Sequence, residues 1–530
     1  ERGMFATGRW GTLDFRLRFV LAESAAAWFW HIELHNTGDA GVNCDLIHTQ
    51  DIGLAHYGAI RLNEYYVSQY IDHCPLVHPA NGHAVASRQN QSMGGRCPWS
   101  VIGSLNHARS FATDALQFHG LASRAGRPAG ALATGLPGTR LQHEHSLVAI
   151  QDDQITLAPG ARVTRGFFAW LEADKPTATS TADQEKIAAA LALPEARPPV
   201  WPAGEAAPAP AASLFATAPG LETIDLDDAT LDGLFGRDRH HEERDTHGVL
   251  SYFTGAGTHV VLKAKELQVL RPHGHLLRSG GALVPDESSL TSTAWMNGVF
   301  HSMVTQGHVS INRFLSTCHT YLGLFRSHGQ RVFAEIGGTW QLLDQPSAFA
   351  MSAGSCRWIY KYAGGMIEVL SSAPDDTQEL RLTVNVLDGP PARFLITHHV
   401  AINGDDGSPA IPVRWEADGS SVFVRAIPDC DVGWRFPDGG FRITPAAGTA
   451  LESIGGDEWI FADTISRDQP FLCLITAPAR SAGLIIHGHL VESTMPQAGG
   501  FWHALTTALH IEAPASSTLA DAAGRTGAIF

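Results

Sequence analysis

The stretch between Gln50 and Trp99 combines the residue types that can bind a sugar. A pyranose ring needs flat aromatic faces for its C–H surfaces, and amide, guanidinium or carboxylate groups for its hydroxyls. The segments NEYYVSQYIDH and RQNQSMGGRCPW supply both kinds of group. The candidate binding residues are Tyr65, Tyr66, Gln69, His73, Arg88, Gln89, Asn90 and Trp99. An alternative stays open, in which this stretch covers a sheet and its polar side chains satisfy buried backbone groups.

Three groups of histidines and acidic residues resemble metal ligands in type but not in spacing. The groups are His301, His308, His319 and His328; His240, His241, Glu242 and Glu243; and His143, Glu144 and His145. The intervals in the first group match no helical i, i+4 pair and no standard zinc pattern. The second group is typical of a solvated face, and the third lacks another ligand nearby. We therefore expect no metal.

Familiar catalytic motifs are absent from the sequence. We find no GxSxG elbow, no GxxxxGK[ST] loop, no HExxH helix and no GxGxxG turn. Paired carboxylates of the kind used in glycoside chemistry cannot be singled out, since a sequence gives no distance between them. The sequence therefore assigns no catalytic residue.

Composition excludes several kinds of partner. The formal net charge of −16 disfavours binding to nucleic acid or to an anionic membrane surface. The seven cysteines are odd in number and form no CxxC pair, which favours a reducing compartment. No apolar run is long enough for a membrane span, and no signal peptide is visible. We expect a cytoplasmic protein.

The spacing of apolar residues predicts a mainly β protein. Period-two alternation is typical of strands in antiparallel sheets, and Gly, Asp and Pro turns separate the runs. The predicted strands are Trp10–Val20, Ala27–Leu34, Val163–Trp170, Leu380–Val386, Phe394–Ile402, Val422–Ala426 and Phe471–Ile475. Helices are predicted over Ala182–Leu193 and Asp228–Phe235. The expected fold is an antiparallel β-sandwich or supersandwich with two sandwich-like halves.

Four regions follow from these patterns. Residues 1–172 form a first β-sandwich region, and 173–220 contain a helix and an Ala/Pro-rich linker or strap. Residues 221–505 form a second β-sandwich region. Residues 506–530 are expected to begin a linker to a further domain, beside an apolar patch at 501–512.

Four segments carry a resemblance to a known family. They are NEYYVSQYIDH, RQNQSMGGRCPW, GHVSINRFLSTCHTYLGLFRSHGQR and PSAFAMSAGSCRWIYK. These segments resemble the N-terminal part of 1,2-β-oligoglucan phosphorylases in glycoside hydrolase family 94. That family also includes cellobiose phosphorylase and the phosphorylase-like part of cyclic β-1,2-glucan synthases. The resemblance implies a supersandwich followed by an (α/α)6 catalytic barrel.

Family resemblance also implies a chemistry and a set of partners. An acid on the barrel protonates the glycosidic oxygen while inorganic phosphate, the co-substrate, attacks the anomeric carbon of a β-1,2-gluco-oligosaccharide. No other cofactor is implied. The sandwich region would pack on the barrel, support a homodimer and border the active-site entrance. A second set of glucan-facing residues follows from this placement: Arg313, Arg326, His328 and Arg331.

The sequence departs from the family in ending where the barrel should begin. We therefore expect the chain alone to be catalytically inactive. Two other hypotheses remain: a free-standing carbohydrate-binding sandwich, and a dimerisation scaffold. Phosphorolysis, glucan transfer and hydrolysis are not distinguished, because the residues that separate them would lie on the barrel.

Overall fold

The computed structural model describes residues 3–142, 145–201, 211–280, 287–307, 312–318, 322–402 and 413–491, without the side chains of 61–65. The chain divides into two compact units. Unit 1 comprises Glu1–Gly120 and Pro128–Pro210, and unit 2 comprises Leu121–Arg127 and Ala211–Phe530. The predicted patch at 501–512 and the predicted region 506–530 lie outside the described residues.

Unit 1 is built around a 10-stranded sheet. Its strands are β1 Gly3–Trp10, β2 Leu13–Leu21, β3 Ala27–Asn36, β4 Val42–Cys44, β5 Ile47–Asp51, β6 Ile71–His78, β7 Gly82–Gln89, β8 Trp99–Ser104, β9 Ala108–Asp114, β10 Ser146–Asp152, β11 Ile155–Leu157 and β12 Arg162–Glu172. Its helices are α1 Tyr57–Gln69, α2 Ala115–His119, α3 Ala131–Thr134 and α4 Gln184–Ala192. The sheet order is β1-β2-β3-β12-β8-β7-β9-β10-β5, with β6 beside β7; β4 and β11 form a separate pair.

Central strands of this sheet are buried on both faces, which explains their continuous apolar runs. In β12, Phe168 packs on the face that α4 covers, whereas Phe167 packs on the opposite face. Val101 and Ile102 of β8 divide between the two faces in the same way. The predicted helix at 182–193 is confirmed as α4, and its Ile187 belongs to the first of these clusters.

Helix α1 spans most of the tyrosine-rich stretch, for which neither a helix nor a strand is predicted from the sequence. Tyrosine favours strands, so the composition gave no helical signal. The helix nonetheless runs from Tyr57 to Gln69, and β6 begins two residues later at Ile71. Val67 near its end is buried, and the helix ends where the Tyr70 N–H bonds to the Val67 carbonyl. Tertiary packing therefore overrides local propensity here.

Unit 2 contains an 11-stranded and an 8-stranded sheet. The strands are β13 Arg239–Arg244, β14 Val249–Thr254, β15 His259–Leu262, β16 Gly274–Arg278, β17 Leu290–Trp295, β18 Val299–Gln306, β19 Gln330–Ile336, β20 Thr339–Leu342, β21 Ala348–Ser352, β22 Ser355–Tyr362, β23 Gly365–Ser372, β24 Glu379–Asp388, β25 Phe394–His399, β26 Trp415–Asp418, β27 Ser421–Arg425, β28 Gly440–Pro445, β29 Leu451–Gly455, β30 Phe471–Thr476 and β31 Ser481–Gly488. The helices are α5 Leu214–Thr217, α6 Asp228–Phe235, α7 Lys263–Glu266 and α8 Asp431–Arg435.

The two sheets of unit 2 pack face to face over one large core. Trp358 of β22 contacts Phe300 of β18 edge to face, with ring centroids 5.0 Å apart. Side chains of both sheets alternate into this core, which is the arrangement of a sandwich. The predicted helix 228–235 is confirmed as α6, and its Leu231 covers the outer face of the larger sheet.

The predicted fold class is confirmed, and the strand predictions hold with shifts at their ends. Trp10–Val20 is β2 preceded by a turn, while Phe394–Ile402 is shortened to β25. Residues 173–201, predicted as part of a separate region, lie in unit 1, where α4 packs on the sheet. None of the helices in the described ranges has both the length and the apolar composition that crossing a bilayer requires.

Candidate functional site

Two exposed tyrosines at the end of α1 form an aromatic pair on the surface of unit 1. Tyr66 and Tyr70 are 46% and 38% exposed, with ring centroids 5.1 Å apart and nearly perpendicular. The Tyr70 hydroxyl donates to the Tyr66 hydroxyl over 3.1 Å. This bond raises the pKa of the Tyr70 phenol above its ordinary value. The pair offers apolar ring surface and two hydroxyl groups together.

Polar groups surround this pair. The Asn90 N–H donates to the Tyr70 carbonyl over 2.9 Å, which joins the end of β7 to the end of α1. Asn90 and Gln69 are both exposed, and the Gln142 amide reaches the Gln69 carbonyl at 3.5 Å. We call Tyr66, Gln69, Tyr70 and Asn90 the tyrosine patch. It brings together three of the predicted residues, with Tyr70 as an addition.

Arg88 donates hydrogen bonds to the patch and to the segment that follows β12. Its Nε donates to the Lys175 carbonyl over 2.8 Å, and its Nη1 donates to the Asn90 side chain. Its Nη2 donates to the Pro176 carbonyl over 3.2 Å. The guanidinium therefore ties the segment after β12 to the patch and orients Asn90. The side chain of Tyr65 lies outside the described residues.

His73, Gln89 and Trp99 lie inside unit 1. The His73 ring bonds to Ser87 at 2.9 Å and to Ser146 at 2.8 Å, and burial lowers its pKa to about 4. Gln89 donates to backbone carbonyls, and the Trp99 indole donates to a hydroxyl in the segment before α4 at 2.9 Å. These contacts fit the open alternative, in which polar side chains satisfy buried groups.

The second predicted set lies in unit 2, and one of its four residues is fully buried. Arg331 is fully buried and donates to the carbonyls of Asn297, Phe325 and His328. Burial lowers its pKa. Arg326 donates to the Phe215 carbonyl at 3.2 Å and approaches Asp344.

Like Arg326, the two remaining members of this set are half-buried. His328 stacks on His399, with ring centroids 4.7 Å apart, and Arg313 is half-buried. Both belong to unit 2, whereas the tyrosine patch belongs to unit 1. The role of all twelve predicted residues in sugar binding stays a prediction.

Two described members of the groups that resembled metal ligands make hydrogen bonds to other protein groups instead. His301 bonds to Ser292 at 3.0 Å and to the Arg381 carbonyl at 3.2 Å. Glu243 accepts hydrogen bonds from Lys265, and this contact lowers its pKa. Within the described ranges, no three His, Cys, Asp or Glu side chains are arranged to hold a metal ion.

Unit 1 also contains an apolar cavity that the sequence did not reveal. Its volume is about 470 Å³, and Trp10 stands 72% exposed at its rim. Phe15 and Trp30 line it from β2 and β3, and His48 lines it from β5. Burial lowers the pKa of His48 to about 4, so its ring is neutral. The cavity lining comes mostly from residues 10–49, and Phe167 of β12 joins it from a distant part of the sequence.

Two family models match the chain on either side of the Ala/Pro-rich segment. Residues 1–169 match the SOGP N-terminal domain, and residues 237–488 match the glycoside phosphorylase supersandwich domain. The chain is a phosphorylase-like protein. The first match covers the sheet of unit 1, and the second covers both sheets of unit 2.

A curated relative of this phosphorylase-like protein is the 1,2-beta-oligoglucan phosphorylase of Listeria innocua. The two are 29% identical over 393 residues, which is 74% of this chain. The match spans 35% of that relative's length.

Solved structures give weaker likenesses. A protein described as a kojibiose phosphorylase from the human microbiome has a TM-score of 0.21 and 11% identity, over 35% of this chain and 20% of that one. A polysaccharide lyase has a TM-score of 0.20 and 8% identity, over 75% of this chain and 35% of that one.

Proposed function

We propose that the phosphorylase-like chain is the β-sandwich portion of a phosphorylase or glycosyltransferase that acts on β-1,2-glucan. In this proposal it binds glucan and packs on a catalytic barrel without catalysing the reaction itself. The support comes from the two domain matches and from the named activity of the Listeria relative. Its proposed location is the cytoplasm, because an odd number of cysteines without a CxxC pair favours a reducing compartment.

The observation that carries the binding part is the tyrosine patch. Two neighbouring phenol rings provide a stacking surface, while the Asn90 amide and the Gln69 amide provide both donors and acceptors. These are the groups that a neutral sugar chain requires. No buried charge has to be uncovered for the ligand to bind, because the patch is already exposed.

The same surface offers little for acid–base chemistry. Inverting attack on a glycoside needs a proton donor on one side of the bond and a nucleophile on the other. Asp72, the carboxylate beside the patch, faces Arg140 at 3.4 Å. This pairing favours a structural role for Asp72, and it supports a surface that binds but does not cleave.

Glucan binding is tested by calorimetric titration of the full chain with β-1,2-gluco-oligosaccharides. We expect Tyr66→Ala or Tyr70→Ala to weaken binding by about fivefold to tenfold, since each removes one stacking face. Tyr57→Ala is the matched control, because Tyr57 is exposed on the same helix at its other end. Equal affinities for the wild type and both patch variants would contradict the proposal.

The non-catalytic part has a separate assay. The chain is incubated with sophorose-type oligosaccharides and inorganic phosphate, and glucose 1-phosphate is measured. We expect none above the enzyme-free background. Release of glucose 1-phosphate by the purified chain would show that it contains its own catalytic centre.

A free-standing carbohydrate-binding module is the alternative function. The observation in its favour is that the patch is assembled entirely from unit 1. Sugar binding without any measurable contact to a phosphorylase barrel supplied in trans would favour this alternative. A dimerisation scaffold instead predicts a concentration-dependent mass and no sugar binding.

A further inference from the structure

A row of polar and aromatic side chains crosses the larger sheet of unit 2. Glu379 of β24 pairs in register with His487 of β31, and His487 pairs with Arg442 of β28. Arg442 in turn pairs with Phe423 of β27. Neighbouring strands lie about 4.8 Å apart, so four such side chains span about 14 Å.

The row points away from the core. Successive residues of a strand face opposite sides of the sheet. Leu380, Ile486, Ile443 and Val422 are the adjoining residues on these four strands, and all are buried in the sandwich core. The members of the row are only half-buried.

A cleft of about 680 Å³ opens along this row. Its other walls include Thr444, Gln378 and the backbone of residues 488–491. Gln306 closes one end, where its Oε1 accepts the Leu490 N–H at 2.9 Å and its Nε2 donates to the Val491 carbonyl at 3.1 Å. Gly488 permits this closure, because a Cβ there would lie 2.4 Å from the Gln306 Oε1. We call this feature the polar cleft.

Hydrogen-bonding groups in the polar cleft are mixed in kind. Glu379 accepts two hydrogen bonds from Arg381, at 2.7 and 2.9 Å, and lies 3.6 Å from the His487 Nδ1. Arg442 donates to Ser421 at 3.0 Å. Burial lowers the pKa of His487, so its ring is neutral at pH 7 and can both donate and accept.

We infer that the polar cleft is a second carbohydrate site, which takes a neutral oligosaccharide. Sugar hydroxyls both donate and accept, and the cleft offers a carboxylate, an imidazole and a guanidinium in one row, with the Thr444 hydroxyl beside it. A phosphate group only accepts at its charged oxygens, and it would meet the Glu379 carboxylate. The Phe423 ring at the border packs against the Arg442 guanidinium at 5.4 Å and extends the row with an apolar face.

This site does not rest on the tyrosine patch, because the two lie in different units. The test therefore uses the full chain carrying Tyr66→Ala and Tyr70→Ala, in which the patch is removed. Gluco-oligosaccharides with β-1,2 linkages are titrated by calorimetry, and inorganic phosphate is titrated separately. We expect saturable sugar binding to persist in this background and phosphate to give no saturable heat.

Cleft variants then identify the site. Adding His487→Ala or Thr444→Val to this background should weaken the remaining binding by about tenfold, since each removes hydrogen bonds to the sugar. Arg480→Met is the matched control, because Arg480 is exposed at the far end of β31. Thr444→Val keeps the side-chain shape and suits a strand, so it reports on binding even if His487→Ala destabilises the fold.

Each outcome separates this site from the patch. Binding that disappears in the patch-deleted background overturns the polar cleft and leaves the proposed function intact. Binding that survives there and is lost in the cleft variants supports the cleft. The cleft is also overturned if both cleft variants bind sugar as their background does, or if phosphate binds and sugar does not.

Discussion

The interiors of unit 1 and unit 2 are organised differently. Unit 2 places the facing sides of two sheets over one continuous core, with satellite clusters under residues such as Phe215 and Leu231. Unit 1 divides its apolar residues among three smaller clusters on both faces of one sheet. It also leaves a cavity of about 470 Å³ between β2, β3 and β5.

Among the described residues, the two buried arginines both lie in unit 2. In unit 2, Arg331 and Arg124 are buried, and their guanidinium N–H groups donate hydrogen bonds to backbone carbonyls. In unit 1, His73 is enclosed between two serines as a neutral ring. Guanidinium groups can gather several carbonyls because they carry five donors in a fixed plane. The two arginines therefore hold the loops around the sandwich in place, whereas the strands do not require such side-chain hydrogen bonds.

The largest effect is expected from Arg331→Met. The variant leaves the carbonyls of Asn297, Phe325 and His328 without their buried donor. We expect the free energy of unfolding to fall by about 3–5 kcal/mol. Urea denaturation measures it, with the exposed Arg480→Met as a control that changes little. A loss below about 1 kcal/mol would mean that water replaces the guanidinium and that unit 2 does not depend on buried charge.

Truncation of an aromatic residue in each unit compares the two cores. Phe300→Ala in unit 2 removes a fully buried ring packed on Trp358, and we expect a loss of about 3–4 kcal/mol. Phe15→Ala in unit 1 removes a half-buried ring that lines the cavity, and we expect about 1 kcal/mol. Thermal or urea unfolding gives both values. Equal losses would show that the unit 1 cavity is as tightly packed as the sandwich.

A buried acid in unit 1 is expected to give a smaller effect than Arg331 or Phe300. Burial raises the pKa of Asp152 from 3.8 to about 6. The folded chain thus holds this proton more tightly than the unfolded chain, and the resulting stability is lost as pH rises from about 4 through 6. Asp152→Asn should therefore add about 2–3 kcal/mol at pH 7 and nothing at the acid end of that range.

Histidines in the same unit act in the opposite direction, so the comparison must be between variants. Burial lowers the pKa of His48 and of His73 to about 4. Their contribution to stability is present above pH 6.5 and is lost as pH falls towards 4. The difference between Asp152→Asn and wild type, measured by urea unfolding across pH 4 to 7, removes this shared background. A difference that does not change with pH would contradict the assignment.

Local patterns predicted elements well where one face of a strand or helix is buried. The alternation of β2 and the helix Asp228–Phe235 follow from burial on one side, which leaves a period in the sequence. Helix α1 was missed because tyrosine favours strands, and its i, i+4 pair of Tyr66 and Tyr70 has meaning only once the helix exists. The candidate list still contained Tyr66, Gln69 and Asn90, since their chemistry is visible without the fold.

By itself, the sequence determined the β-rich class, the resemblance to glycoside phosphorylases and the residue types suited to a sugar. Each of these follows from the local composition or from the spacing of residues along the chain. Only the tertiary structure decided which of those residues are exposed, and it moved Gln89, Trp99 and Arg331 to the interior. Only the pairing of strands aligned Glu379, His487 and Arg442 in one row. Register between distant strands is set by how whole faces pack, and no local stretch of sequence contains it.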